Sequence, residues 1–411
     1  MFKSIWQQLA IASNWPVLAA VAVLCFLGSC SIWHYPRADG VKQLIFVGIA
    51  TGCLLLMQGI NYQKVGRFAW VFYIFSLLLL VYTIVPFTHV AQNSQALFRV
   101  PYRGGAYAWI NLGPMSLQPA ELTKIAFILV LARYLRFRSN YRTLGGLLAP
   151  FGLALVPIAL ILKQPDLGTA LTFIPVLFAM LFIAGARMLH LVSIVVLGIV
   201  VAPLLWFSGQ HVTKPATENA SADVCSVCPS VPVLRHLPQF VKHYQRERVY
   251  AMFSDDKETR RESGFQQQLA LTAIGSGGFT GKGMGEFTVG RFVPEAHNDM
   301  VFSLICEQFG FLGAAAVLGA YAVLFAAGIE IAAHTREPFG RLVAPGIVAL
   351  LGGQAFLNLM VCMKLMPVTG VTLPFVSYGG SSLVASFMAT GLLLNIGQNR
   401  PFVVARSAFD Y

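Results

Sequence analysis

The residue around which chemistry is most readily built is Asp299, which follows Val293-Pro294-Glu295-Ala296-His297-Asn298 and stands directly before an apolar run. A carboxylate at such a boundary is partly desolvated and can take a proton from a hydroxyl. The competing reading is a helix cap, stabilised by roughly 0.3–1 kcal/mol through the macrodipole. Other polar side chains lie inside or at the ends of apolar runs, where they are costly and face the interior of a bundle. Gln118, Glu121 and Lys124 recur at i, i+3 and i+6, so they share a helical face, and Glu121 can pair with Lys124. Lys163, Gln164 and Asp166 flank Pro165 in a very short turn, and Glu307 and Gln308 fall about two turns beyond Asp299. Each group is either a polar contact tying helices together or part of a polar cavity open to one side.

Two glycine-bearing segments invite a second reading. Gly275 to Gly285 lacks the spacing of a phosphate loop, with Gly283 where a magnesium-binding hydroxyl belongs. It is either a turn lying close against a neighbouring helix or a nest of N–H groups for a pyrophosphate, with Lys282 adding charge. Residues 368–382 combine Pro374 with Ser377, Tyr378, Gly379, Gly380 and Ser381. They read as a broken helix end lining a cavity or as a tight contact through small residues. Cys225 and Cys228 form a lone C-x-x-C, open to a local disulfide, free thiols or a metal or redox role.

These side chains must be positioned by membrane helices. Hydrophobic residues make up 56% of the 411 and charged residues 11%, against roughly 45–50% and 25% in soluble domains. Apolar runs near the ~20 residues that cross a bilayer recur at about 14–33, 43–60, 67–86, 120–138, 144–162, 167–185, 187–207, 299–330, 341–363 and 374–397. The fold class is therefore an all-α polytopic membrane protein of about ten transmembrane helices, with one large extracytoplasmic loop between helices 7 and 8. Residues 1–207 carry the first seven helices, 208–298 the loop and 299–411 the last three helices with the C-terminus. Within the loop, 208–240 reads as a variable insertion and 241–298 as its functional part. A net charge of +12 does not point to nucleic acid, because Lys and Arg form no basic stripe with interleaved aromatics. Their excess in alternate loops places both termini in the cytoplasm and the large loop outside.

With these segments in place, the chain resembles the SEDS family, the shape, elongation, division and sporulation group that includes RodA and FtsW. AWINLGPMSLQPAELTKIA, KQPDLGTAL, YQRERV, AIGSGGFTGKGMG, PEAHNDMVFSLICEQFGFLG and LMPVTGVTLPFVSYGGSS occur in the family's order. Trp15-Pro16 and YQRERV lean toward RodA. The resemblance implies a peptidoglycan glycosyltransferase of the bacterial inner membrane. Its reaction polymerises lipid II at the outer face with inversion, and undecaprenyl pyrophosphate leaves. Asp299 corresponds to the family's essential aspartate. Trp109, Gln118, Glu121, Lys124, Lys163, Gln164, Asp166, Lys282, His297 and Ser377 to Ser381 are the expected substrate contacts. A class B penicillin-binding protein is the implied partner. Magnesium or manganese could offset the pyrophosphate charge, although no dedicated protein cage and no organic cofactor are expected. A lipid II flippase is the alternative that a polar cavity in ten helices also suits.

The Cys-bearing stretch precedes every family-like segment of the large loop, and its two thiols close only a tiny ring. Deleting about residues 212 to 232 should leave lipid II polymerisation by the purified protein near wild type. Loss of polymerisation in a deletion variant that still inserts and stays monodisperse would place functional residues inside that stretch.

Overall fold

The computed structural model describes residues 15–35, 39–86, 89–90, 97–102, 106–113, 115–138, 140–207 and 263–399. The whole 208–240 insertion with Cys225 and Cys228, the YQRERV segment and both termini lie outside the described residues. In chain order the helices begin with α1 (Trp15–Trp33), α2 (Gly40–Gly59), α3 (Tyr62–Arg67) and α4 (Ala69–Ile84). Four two-residue strands follow: β1 (His89–Val90), β2 (Val100–Pro101), β3 (Ile110–Asn111) and β4 (Ser116–Leu117). Strands β1 and β2 pair in parallel, and β3 and β4 pair antiparallel. Next come α5 (Pro119–Phe137), α6 (Leu144–Lys163), α7 (Leu167–Leu171), α8 (Phe173–Ala184) and α9 (Met188–Phe207). The last are α10 (Ser263–Ser276), α11 (Ala296–Asp299), α12 (Val301–His334), α13 (Pro338–Cys362) and α14 (Gly380–Gln398). The four strands qualify the all-α expectation.

A helix occupies each of the ten expected spans. Seven are long and apolar enough to cross a membrane, counting α7 and α8 as one, and α4 and the Met188–Val201 part of α9 are shorter apolar helices. Helix α5 carries Glu121, Lys124, Arg133 and Arg136, yet from Pro119 to Ala132 every residue except Leu122 is buried. It is an inner helix of the bundle, packing on α4, α6, α8, α13 and α14. The other main pairings are α1 with α12 and α2 with α14. Residues 266–298, expected as part of a separate loop, belong to the same compact unit as α1 to α8 and α12 to α14. Arg187–Phe265 clusters as a second unit, whose described residues are α9 and the first turn of α10.

Helix–helix seams are fixed by buried amides. Asn395 on α14 donates Nδ2 to the carbonyls of Gln58 at 2.6 Å and Ile60 at 2.8 Å, and its Oδ1 accepts from Tyr62 N at 3.2 Å. One side chain thereby closes the C-terminus of α2 and the start of α3, groups that a helix end leaves without intrahelical partners.

Two expected spans are broken. The run expected from 299 is three pieces: α11 ends at Asp299, Met300 is non-helical, and α12 is interrupted at Gly310, with φ 62° and ψ −153°. The interruption strips the carbonyls of Glu307 and Gln308 and the N–H groups of Phe311 and Leu312 of helical partners. The glycine segment supplies them: Lys282 N and Gly283 N donate to Glu307 O and Gln308 O, while Phe311 N and Leu312 N donate to Gly278 O and Phe279 O. The backbones meet so closely that a Cβ at Gly281 would lie 2.1 Å from Gln308 O, and one at Gly310 2.3 Å from Gly281 N. Of the two readings of this segment, close approach to a helix is the one the fold realises. The second broken span is the last, since Pro374 and a left-handed Phe375 (φ 67°) delay α14 until Gly380.

Because Gly281 combines a left-handed φ with that backbone contact, Gly281→Ala should cost about 1–3 kcal/mol and lower the thermal midpoint of the purified protein. An unchanged midpoint would show that the two backbones can separate freely.

Candidate functional site

The site is assembled on the irregular stretch 363–379. Non-helical backbone inside an apolar bundle persists only when its polar groups find partners, and here side chains from several helices provide them. Gln267 Nε2 on α10 donates to Met366 O at 2.6 Å, Asn358 Nδ2 on α13 to Val371 O at 2.8 Å, and Tyr321 Oη on α12 to Pro374 O at 2.5 Å. Gly28 on α1 lies against Val376, and Gly168 on α7 against Thr369 and Val371, at distances that no Cβ would allow. Ser377 turns inward, its Oγ accepting from Leu373 N at 2.8 Å. That bond closes the turn over Leu373 to Ser377.

Asp299 meets this stretch from the side. The Asn358 amide that binds Val371 O also donates to Asp299 O at 2.6 Å, and Tyr378 N donates to His297 O at 2.8 Å. The His297 ring is buried between Tyr35 and Tyr378, with centroids 5.6 and 5.3 Å away. Tyr35 Oη in turn donates to Val293 O at 3.0 Å. The Asp299 side chain is half-buried and accepts from Gln266 Nε2 at 3.4 Å. Asp299 closes α11, and Met300, whose side chain makes no cap bond, occupies the N-cap position of α12.

A second polar group is linked to the first through Ser381. Ser381 Oγ accepts from Gln118 N at 3.0 Å and donates to Ser116 O at 2.5 Å, joining α14 to β4 and the start of α5. Gln118 Nε2 reaches Asp166 Oδ2 at 3.3 Å. Asp166 caps α7, accepting from Thr169 N at 2.9 Å and Thr169 Oγ1 at 2.7 Å. Burial pushes its carboxyl above the ordinary value, opposed by the Thr169 hydrogen bonds and the nearby Lys124 charge. Lys124 Nζ binds Glu121 Oε1 at 2.7 Å, with side-chain exposures of 2% and 7%. Gly380 packs on Met115 and Phe46, and Gly379 takes the N-cap position of α14 in extended backbone (φ 168°). One connected path thus runs Asp166, Gln118, Ser381, the Tyr378 turn, His297 and Asp299.

Four expected contacts stand elsewhere. Gln164 is buried and donates to Leu80 O at 3.3 Å and to Thr83 Oγ1, tying α6 to α4. Lys163 is exposed at the end of α6. Trp109 stands half-buried one residue before β3, in the short-strand region. Lys282 Nζ binds Glu307 Oε1 at 2.8 Å and Ser276 Oγ at 2.8 Å. Glu307, fully buried at the side chain, also accepts from Thr288 N at 3.0 Å, Val289 N at 2.9 Å and Gly290 N at 2.6 Å. The pair is a clamp that fastens the loop leading to Asp299 onto α12.

Residues that the chemistry-first reading passed over are Gln266, Gln267, Tyr35 and Asn358. Asn358 carried a usable signal, an amide inside an apolar run. Gln266 and Gln267 lay within a polar loop where nothing marked them out.

Burial makes the Glu121–Lys124 pair a sensitive reporter. Removing one partner leaves a charge in a low-dielectric setting, at a cost of about 3–5 kcal/mol, whereas removing both costs less than the sum. A thermal-stability cycle with Glu121→Gln, Lys124→Met and the double variant should show that coupling. Simple additivity would mean that the pair does not act as a unit.

Comparison with known proteins agrees with this architecture. Residues 4–401 match the family model for cell cycle proteins of the FtsW, RodA and SpoVE type. An FtsW protein of Geobacter metallireducens is 32% identical over 394 residues, covering 92% of this chain and 93% of its own. The peptidoglycan glycosyltransferase RodA of Treponema pallidum is 29% identical over 405 residues, covering 88% and 90%. A solved structure of a peptidoglycan synthase complex, which describes how polymerization and crosslinking are coordinated, superposes with a TM-score of 0.73 at 29% identity, over 95% of this chain and 99% of that one. The chain belongs to the FtsW, RodA and SpoVE family.

Proposed function

We infer that this multi-pass membrane protein is a peptidoglycan glycosyltransferase that polymerises lipid II at the outer face of the bacterial inner membrane, with both termini cytoplasmic. The activity follows from the family and from a relative named for it, the peptidoglycan glycosyltransferase RodA. The observation that carries the mechanism is the setting of Asp299: a half-buried carboxylate at a helix break, beside the irregular stretch that takes polar side chains from α10, α12 and α13.

In this reading Asp299 takes the proton from the 4-hydroxyl of the acceptor GlcNAc. The freed oxygen forms a bond to the anomeric carbon of the donor MurNAc while the bond from that carbon to the pyrophosphate oxygen breaks. Configuration inverts, and undecaprenyl pyrophosphate leaves with the electron pair. The Gln118, Asp166 and Ser381 group, with Glu121 and Lys124 behind it, supplies a polar wall along which the substrate would lie. Among the described residues no three His, Cys, Asp or Glu side chains converge on a metal position. A magnesium or manganese ion held largely by the pyrophosphate oxygens would offset the charge of the leaving group. A crosslinking transpeptidase of the class B penicillin-binding type is the partner this reading calls for, in keeping with the coupled activities of the matched synthase complex.

Asp299→Asn should abolish glycan chain formation from labelled lipid II by purified protein in liposomes while leaving insertion and thermal stability near wild type, because a base is lost and little packing changes. Translocation of lipid II is scored separately in the same vesicles. Chains of wild-type length from Asp299→Asn would remove the carboxylate from the mechanism, and translocation without chain formation in the parent would favour a flippase.

A further inference from the structure

Asp299 is held by two amides that arrive from different helices, and each touches a different part of it. Gln266, on α10, directs one Nε2 to two acceptors: Pro294 O at 2.8 Å and Asp299 Oδ1 at 3.4 Å. The shorter bond anchors the amide on the chain entering α11, and the longer one is made to the carboxylate itself. Asn358, buried on α13, uses Nδ2 on the Asp299 carbonyl at 2.6 Å and on Val371 O at 2.8 Å. The backbone of the carboxylate is thus tied to the irregular stretch while its side chain is tied to the loop. Gln267 secures the first helix in turn, its Nε2 donating to Val361 O at 3.1 Å and Met366 O at 2.6 Å. The register of α10 is therefore set by the same stretch that Asn358 grips.

We propose that Gln266 and Asn358 are positioning residues for the polymerisation step, Gln266 orienting the Asp299 carboxylate and favouring its ionised form, Asn358 fixing the backbone that carries it. The proposal rests on the reading of Asp299 as the base. A hydrogen bond donated to a carboxylate stabilises the charged form, so losing it moves protonation to higher pH. Ionisable groups near Asp299 among the described residues include Glu295 and His297 on its own stretch, Tyr378 against the His297 ring, and Cys362 on α13, whose Sγ lies 3.8 Å from Asp299 O. The two amides are neutral, and removing either adds no charge to this set.

The test is the pH dependence of lipid II polymerisation by the full-length protein in liposomes, with kcat and KM separated. Gln266→Leu should lose activity mainly at low pH, with the acid limb moved upward by about half a pH unit or more, and Gln266→Glu should move it further by placing a second carboxylate beside the first. Asn358→Leu should lower kcat about tenfold with KM and the limb little changed, because the base is displaced and not retuned. A uniform loss at every pH for the Gln266 variants, an effect confined to KM, or failure of either residue's variants to fold monodisperse would reduce that residue to packing and overturn its assignment. Asp299→Asn run alongside separates the two claims. If it still polymerises, the base reading fails. If it is dead while Gln266→Leu keeps the parent pH profile, only the present inference fails.

Discussion

Inside an apolar bundle a backbone that leaves helical geometry must find a partner for each polar group it uncovers, since neither lipid nor apolar side chains will supply one. Among the described residues this structure leaves helical geometry at Met300, at Gly310 and across 363–379. At Gly310 the partner is another backbone, the glycine segment that takes over the uncovered carbonyls and N–H groups. Across 363–379 the partners are side chains of Gln267, Tyr321 and Asn358. The need to satisfy these breaks draws α10, α12 and α13 together, and Asp299 lies where they converge.

Charge inside the bundle is handled by the same rule. Glu307 is surrounded by three backbone N–H groups, two hydroxyls and the Lys282 ammonium, so its charge is distributed over donors on one loop. Glu121 relies on Lys124 one turn away on the same helix. The first arrangement fixes a loop to a helix, whereas the second is made within α5 alone. The difference explains why the two buried ion pairs, alike in sequence as acid and base inside apolar runs, have different structural consequences.

Most of the helical architecture was legible because apolar run length is a strong signal, and all ten expected spans carry a helix. Pairing of Glu121 with Lys124 followed from their spacing alone, and the importance of 368–382 from its proline and glycines. What spacing could not convey was direction. Gln164 and Asp166 are two residues apart, yet one faces α4 and the other Gln118, because the turn at Pro165 separates them. Lys282 read as a free charge in a glycine run, since its acceptor Glu307 lies 25 residues on. The helix breaks at Met300 and Gly310 were hidden for a related reason: one glycine in an apolar run is tolerated by a straight helix, and only the approaching loop makes it a break.

The splice at Gly310 also acts as a ruler. From Gly277 to Gly283 the glycine segment is matched group for group to residues 306–312, with Gly277 against Cys306 O, Lys282 and Gly283 bonded to Glu307 and Gln308, and Gly278 and Phe279 bonded to Phe311 and Leu312. Adding or removing one residue on either side would put every later pair out of step and bring side chains to points where only hydrogen fits. The spacing along both segments is therefore held by the fit of the two backbones, and the chain can take up extra residues without cost only outside them.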